Sequence, residues 1–381
     1  MTGSAFRVVE RHADLEQVCA TLAGAERLYL DTEFDSRRDG SQLCLVQVSR
    51  GAEVFLIDAL RLRTLQPLGQ ALGHRATEWV LHAGAQDVPL LVRALKLDEP
   101  QRVFDTQAAW ALMSAEYSVS LAYLQFRVLG IRSVKTHQAD DWKRRPLPKA
   151  QLAYAADDVR HLPALRTQLA ERAARLGRLH LVHEVSHELL GPPAPPAETV
   201  SLSSFRNAWQ LDRPRQAALR FIVSWYNELD PGQRSEAPDA KALLSIARRL
   251  PEDADALARI KGIPRRWCAR HGDRFAAELV RAARNASQED FMPIDPPPYA
   301  TFPELRLDAW LQTLRAEVCA SVGVAPELAF PSRLLRRARA RMLERSDAQA
   351  LATLLDGWRK EMMAAACLAY CERTPPPLVE T

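Results

Sequence analysis

No apolar run in this chain approaches the ~18 residues needed to cross a bilayer as a helix, which argues against a helical membrane span. The opening stretch, MTGSAFRVVERHADLEQ, places polar and charged side chains where a secretory leader needs an apolar core, so the sequence predicts a cytoplasmic protein. Cysteine is sparse. The six in 381 residues are scattered and form no CxxC, which excludes a disulfide scaffold. Cys367 and Cys371 stand one helical turn apart in an alanine-rich stretch and read as small core residues. A dominant charge of one sign is also lacking. The net charge is only +4 and the pI about 8.8, a faint hint of an anionic partner.

What is present is an ordinary globular composition, 47% hydrophobic, in a chain long enough for two or three domains. Two proline-rich stretches interrupt it, one from Gly191 to Glu198 and one from Phe291 to Pro303. Such segments do not continue helices and act as stiff spacers. They imply three units, 1–190, 201–290 and 302–373. Residues 1–200 carry 24 basic and 24 acidic side chains, 201–290 carry 16 and 12, and 291–381 carry 11 and 11. The excess thus lies in the middle unit, as expected of a module that contacts nucleic acid. Lys261, Arg265 and Arg266 cluster around its Lys-Gly-Ile-Pro turn and are its candidate phosphate contacts, a chance excess on solvated helix faces being the plain alternative.

The first unit mixes periods. Strands are predicted at 27–34, 43–49, 53–58, 78–82 and 102–105, with helical spacing over 85–95 and again from Thr106 onward. This is an α/β pattern with a mixed sheet. The other two units read as wholly helical, the third with helices at 305–322, 332–343 and 347–371.

Within the first of the β-patterned runs stands Asp31-Thr32-Glu33. Side chains at i and i+2 of a strand share a face, so two carboxylates project together from among Leu28, Leu30 and Phe34. Burying them is costly without a counter-charge, and a divalent cation supplies one. Solvated acids at a strand end are the plain alternative. Asp87 follows His82-Ala-Gly at the junction of a strand and a helix, where an acid also suits the helix dipole. Tyr154 and Asp158 lie i, i+4 on a helix that starts near Pro148, so the phenol and the carboxylate share a face. Asp157 points elsewhere. Four carboxylates suit two hard cations, Mg²⁺ or Mn²⁺, and two such ions ~3.5–4 Å apart serve in-line hydrolysis of a phosphodiester.

These residues resemble the three motifs of the DEDD exonuclease superfamily, and Tyr154 marks its tyrosine branch, since the histidine branch would place His where Ala153 stands. The closest resemblance is to the ribonuclease D family. Leu30-Asp-Thr-Glu-Phe, Asp141-Trp142 leading to Arg145-Pro146-Leu147, and Leu152-Ala-Tyr-Ala-Ala-Asp-Asp-Val share its phrasing. Asp239-Ala-Lys-Ala-Leu-Leu-Ser-Ile-Ala looks like an HRDC domain, and 302–373, with Leu355-Asp-Gly-Trp-Arg, is similar to a divergent second one. The resemblance implies a ribonuclease-H-like exonuclease domain followed by two all-α HRDC-like domains. It implies 3′→5′ hydrolysis of RNA to nucleoside 5′-monophosphates, with tRNA precursors as substrates and no obligate protein partner. By the same resemblance Asp31 bridges two metals, Glu33 and Asp158 complete the site of the water-activating one, Asp87 holds the second through water, and Tyr154 orients the nucleophile. A DNA-directed exonuclease and an inert RNA-binding protein are the rival readings, and the intact five residues argue against the second.

His183-Glu-Val-Ser-His187 matches the zinc-protease pattern HExxH. Glycine and prolines follow at once and no third ligand is in place, so these residues read as exposed positions on the helix closing the first unit. A structural metal at His180, His183 or His187 stays open. Since 1–190 holds all five candidate residues, a chain ending near Pro196 is expected to shorten small oligonucleotides on its own.

Overall fold

The computed structural model describes residues 6–37, 40–132, 140–190, 199–205, 207–229, 231–286, 301–345 and 350–377. The proline-rich segment at 191–198, and the second one as far as residue 300, lie outside these.

Six strands form one mixed sheet in the order β1-β4-β3-β2-β5-β6. They are β1 (Phe6–Val9), β2 (Arg27–Arg37), β3 (Gly40–Ser49), β4 (Val54–Asp58), β5 (Glu78–Leu81) and β6 (Arg102–Asp105). β3 runs antiparallel to β4, while β1 is parallel to β4 and β5 is parallel to both β2 and β6. The five later strands fall where alternation predicts them. β1 escapes the sequence reading because its four residues are too few to show a period, and its register is set by β4, from Phe6↔Val54 to Val9↔Ile57.

Alternation along the strands divides the sheet into two faces. Leu28, Leu30, Phe55, Ile57 and Trp79 point into one core, closed by α1 (His12–Leu22), α2 (Gln66–Leu72) and α3 (Asp87–Leu95). Tyr29, Leu56, Val80 and Phe104 point into another. That one is closed by α4 (Thr106–Ala111), α5 (Leu121–Leu129), α6 (Lys149–Arg160), α7 (Leu162–Arg175) and α8 (Leu179–Leu190). β4 is buried along its whole length because it serves both cores.

Among the described residues between Pro193 and Tyr299 the α-helices are α9 (Arg213–Glu228), α10 (Pro231–Glu236), α11 (Ala240–Arg249), α12 (Ala254–Ala258) and α13 (Arg265–Arg284). They enclose a core of their own around Leu219, Ile222, Leu243, Ile246, Leu257 and Phe275.

The C-terminal helices are α14 (Phe302–Val322), α15 (Pro326–Ala329), α16 (Ser332–Arg345), α17 (Ala350–Thr353) and α18 (Gly357–Arg373). Trp310, Leu314, Phe330, Trp358 and Cys367 join Phe104, Leu165 and Val182 in a single core. Polar contacts fix the join. Ala325 N donates to Ala111 O at 2.8 Å, and the Arg178 guanidinium to Gly323 O at 3.0 Å. Two compact units result. One holds Met1–Ser36, Ser41–Pro192 and Ala300–Thr381, and the other is chiefly Pro193–Tyr299.

The single helix expected over 347–371 is two, α17 and α18. The chain turns at Leu354–Asp356, and Gly357 takes φ 47°, a left-handed value suited to glycine. Leu354 and Leu355 stay buried through the turn, so the apolar spacing runs on across a backbone break. Residues 347–349 lie outside the described ones. Among the described residues no helix is long and apolar enough to cross a membrane.

Candidate active site

The pleat of β2 builds the site. Asp31 and Glu33 share the face of Tyr29, the side on which α6 packs with Ala155, Ala156 and Val159. α6 starts at Lys149 with Pro148 in extended conformation before it, and its second and third turns bring Tyr154 and Asp158 to the same edge. Carboxylate oxygens of Asp31, Glu33 and Asp158 come within 4.8 Å of one another. Thr32 faces the other way, toward α3, and its hydroxyl donates to the Asp87 carboxylate. The four acids and Tyr154 line one cleft of about 920 Å³. Asp157 is at its rim, paired with Arg160 at 2.8 Å.

The electrostatics are those of a site short of positive charge. Burial holds the Asp31 carboxyl well above the usual carboxylate range, and Asp87, Asp158 and Glu33 push it further. Burial, then Asp158 and Asp87, push Glu33 up to about 9. Asp87 is raised by burial too, against the opposing hydrogen bond from Thr32. The Tyr154 phenol is raised by burial and by Asp158, to which it is hydrogen-bonded, so it stays protonated at neutral pH. Acids that repel in this way, with oxygen donors only, fit divalent cations of the hard type.

Sequence reading misses the parts that hold these groups in place. Ala83 adopts φ 57°, a strained value for a residue with a side chain. Asp105 secures it, accepting from Ala83 N at 3.1 Å and Gly84 N at 2.8 Å while capping α4 through Gln107 N at 2.8 Å. Asp87 follows directly from this bend. Arg145 and the buried Asp58 form a two-pronged pair at 2.5 and 2.8 Å, and Arg145 also donates to Trp142 O at 2.7 Å. Trp142 in turn packs against Tyr154, ring centroids 6.4 Å apart. The phrase Asp141-Trp142…Arg145-Pro146 is the only sequence signal of this clamp.

The HExxH helix is α8, and His183 and His187 are half-buried rather than exposed, while His180 is exposed. His183 Nδ1 is bonded to Val103 O and His187 Nε2 to Gln101 O, both at 2.9 Å, so each ring braces β6. Glu184 accepts from Trp358 N at 2.9 Å, and Glu188 from Trp358 Nε1 at 2.7 Å and Arg359 at 2.6 Å, docking α18. His180 pairs with Glu361 at 2.9 Å. In the other unit Lys261, Arg265 and Arg266 are exposed around Gly262, at φ 92°, and the start of α13, and make no ion pair among the described residues.

Comparison with known proteins adds to this geometry. A family model described as a 3′-5′ exonuclease matches residues 6–174, and one described as an HRDC domain matches 239–279. The chain is 32% identical over 371 residues to ribonuclease D of Gluconacetobacter diazotrophicus, covering 93% of this chain and 90% of that one. It is 30% identical over 381 residues to ribonuclease D of Pseudomonas paraeruginosa, covering 98% and 99%. Among solved structures it is similar to Escherichia coli RNase D, described as an exoribonuclease involved in structured RNA processing. There the TM-score is 0.71 at 25% identity, over 97% of this chain and 100% of that one.

Proposed function

The chain belongs to the ribonuclease D family of 3′→5′ exoribonucleases, and from that premise we propose that it trims RNA 3′ ends by two-metal hydrolysis, in the cytoplasm, with tRNA precursors among its substrates. The observation that carries this reading is the approach of the Asp31, Glu33 and Asp158 carboxylates to within 4.8 Å, on a cleft that Asp87 and Tyr154 also line. Asp31, Glu33, Asp87 and Asp158 would hold two Mg²⁺ or Mn²⁺ ions, with Asp31 shared. When bound, the ions neutralise the phosphodiester and lower the pKa of the attacking water.

The remaining work falls to the chain itself. The protonated Tyr154 phenol, beside Asp158, orients the water oxygen toward phosphorus. The water oxygen, losing a proton to solvent, bonds to phosphorus as the bond to the departing 3′ oxygen breaks. That oxygen takes up a proton, leaving a shortened RNA with a free 3′ hydroxyl and a nucleoside 5′-monophosphate. Thr32 fixes the Asp87 carboxylate, and Trp142, anchored by Arg145, fixes the Tyr154 ring.

We assign 1–190 as the exonuclease domain, 201–290 as an HRDC domain that contacts RNA through Lys261, Arg265 and Arg266, and 302–373 as a second HRDC-like module. A digestion series with Mg²⁺ or Mn²⁺ on a tRNA precursor, other structured RNA and DNA tests the reading. Release of mononucleotides from RNA 3′ ends, abolished by EDTA, supports it. Preference for DNA, or metal-independent turnover, overturns it.

A further inference from the structure

Charge counted by segment hides how charge is arranged on a face. The last 91 residues are balanced, yet α16, SRLLRRARARMLER, packs six arginines against one glutamate into 14 residues. Its apolar side is spent on the core, where Leu334, Leu335, Ala338 and Met342 are buried. Arg339, at the edge of that side, is neutralised by Asp308 at 2.5 Å and Glu304 at 3.5 Å. Arg333, Arg336 and Arg337 point outward, are exposed, and make no hydrogen bond or ion pair among the described residues. Arg341, also exposed, continues the row and, among the described residues, reaches only the Thr353 hydroxyl, at 3.5 Å.

Cations three and four residues apart on one helix face repel one another. Of the described acids, Glu188 feels this row, its carboxyl held below the usual range, despite burial, by Arg359 and in part by Arg333, and it is already paired with Arg359. Eight residues separate Arg333 from Arg341, ~12 Å along the axis. A row of guanidinium forks on that scale suits successive phosphates, which arginine grips with two parallel hydrogen bonds.

We propose that the outer face of α16 is a second docking surface for the phosphate backbone of structured RNA, carried in the same compact unit as the four carboxylates. The inference rests on the exoribonuclease reading for the identity of the polyanion. An anionic lipid surface fits less well. A basic helix binds a membrane by inserting an apolar face, and the apolar face of α16 is already occupied by the core.

The test uses the full chain with Arg333→Ala, Arg336→Ala and Arg337→Ala combined, and a second variant with all three changed to Lys. Affinity for an RNA with a folded body and a single-stranded 3′ tail is measured in EDTA over a range of salt. Each lost phosphate contact removes ~0.7–0.9 from the slope of log affinity against log salt, so the alanine variant should be shallower by about 2–3, with the lysine variant close to wild type. Cleavage of a single-stranded tetranucleotide with Mg²⁺, and the Tm, should be unchanged in both. An unchanged RNA slope overturns the proposal, whether or not the alanine variant loses binding to phosphatidylglycerol vesicles or to polyglutamate. A fall in tetranucleotide cleavage that matches the loss on structured RNA overturns it too. If the wild type releases no mononucleotides from any RNA, the proposed function fails, and the salt slope in EDTA still decides the role of α16.

Discussion

Asp31 stands between Glu33 and Asp158 on one side of β2 and Asp87 beyond its other side, so all three other acids repel its carboxylate. Asp31→Ala or Asp158→Ala should abolish hydrolysis, while the metal-free Tm holds or rises as repulsion is relieved. Retained turnover at wild-type metal concentration would sink the assignment. Tyr154→Phe keeps the ring against Trp142 and removes only the hydroxyl. It should lower kcat roughly 10–10³-fold and leave KM nearly unchanged, the pattern of a lost positioning group. The acids also predict a pH dependence. Glu33 is pushed up to about 9 in the folded, metal-free chain, from an ordinary value near 4.5. A raised carboxyl favours the protonated folded state, so this contribution is full below about pH 4.5 and is lost as pH rises toward 9. The Tm in EDTA should fall across that window, and Mg²⁺ should flatten the fall, an outcome thermal melts at several pH values will check. The acids and the tyrosine are legible in sequence because strand and helix periods alone place them on common faces. Thr32, Asp105 and Arg145 are not, because their partners lie 55, 21 or 22, and 87 residues away.

At the scale of the element, α8 shows how a short pattern misleads. Its two histidines are spaced as zinc ligands are, yet one nitrogen of each ring is bonded to a carbonyl, of Val103 or Gln101, and His183 Nε2 lies 3.4 Å from Glu78 Oε1. His183→Ala with His187→Ala should keep nuclease activity, bring no loss of stoichiometric zinc, and cost about 1 kcal/mol for each hydrogen bond removed. Denaturant melts and elemental analysis read both. Glu188→Ala frees Trp358 Nε1 and one arm of Arg359. Since Glu188 is partly exposed, the cost should be about 1–2 kcal/mol, with no change in tetranucleotide cleavage. Strand positions follow from alternation, and most helix positions from apolar spacing. What fails is the short edge strand β1, held by its neighbour, and the break before α18, where buried leucines continue through a turn.

At the scale of the whole molecule, the shared core changes what truncation does. A chain ending near Pro196 keeps all five candidate residues, but it strips Trp310, Phe330 and Trp358 from the core around Phe104 and Val182. Instead of acting alone, as the sequence suggests, it should melt well below the full chain and bind a hydrophobic dye. A wild-type Tm for that fragment would show that the C-terminal helices add nothing to the core. The core is completed only by residues as late as Tyr370. During synthesis the carboxylates therefore leave the ribosome long before the scaffold that braces them can close. A nascent or prematurely terminated chain should thus be a poor nuclease, with activity waiting on full-length translation.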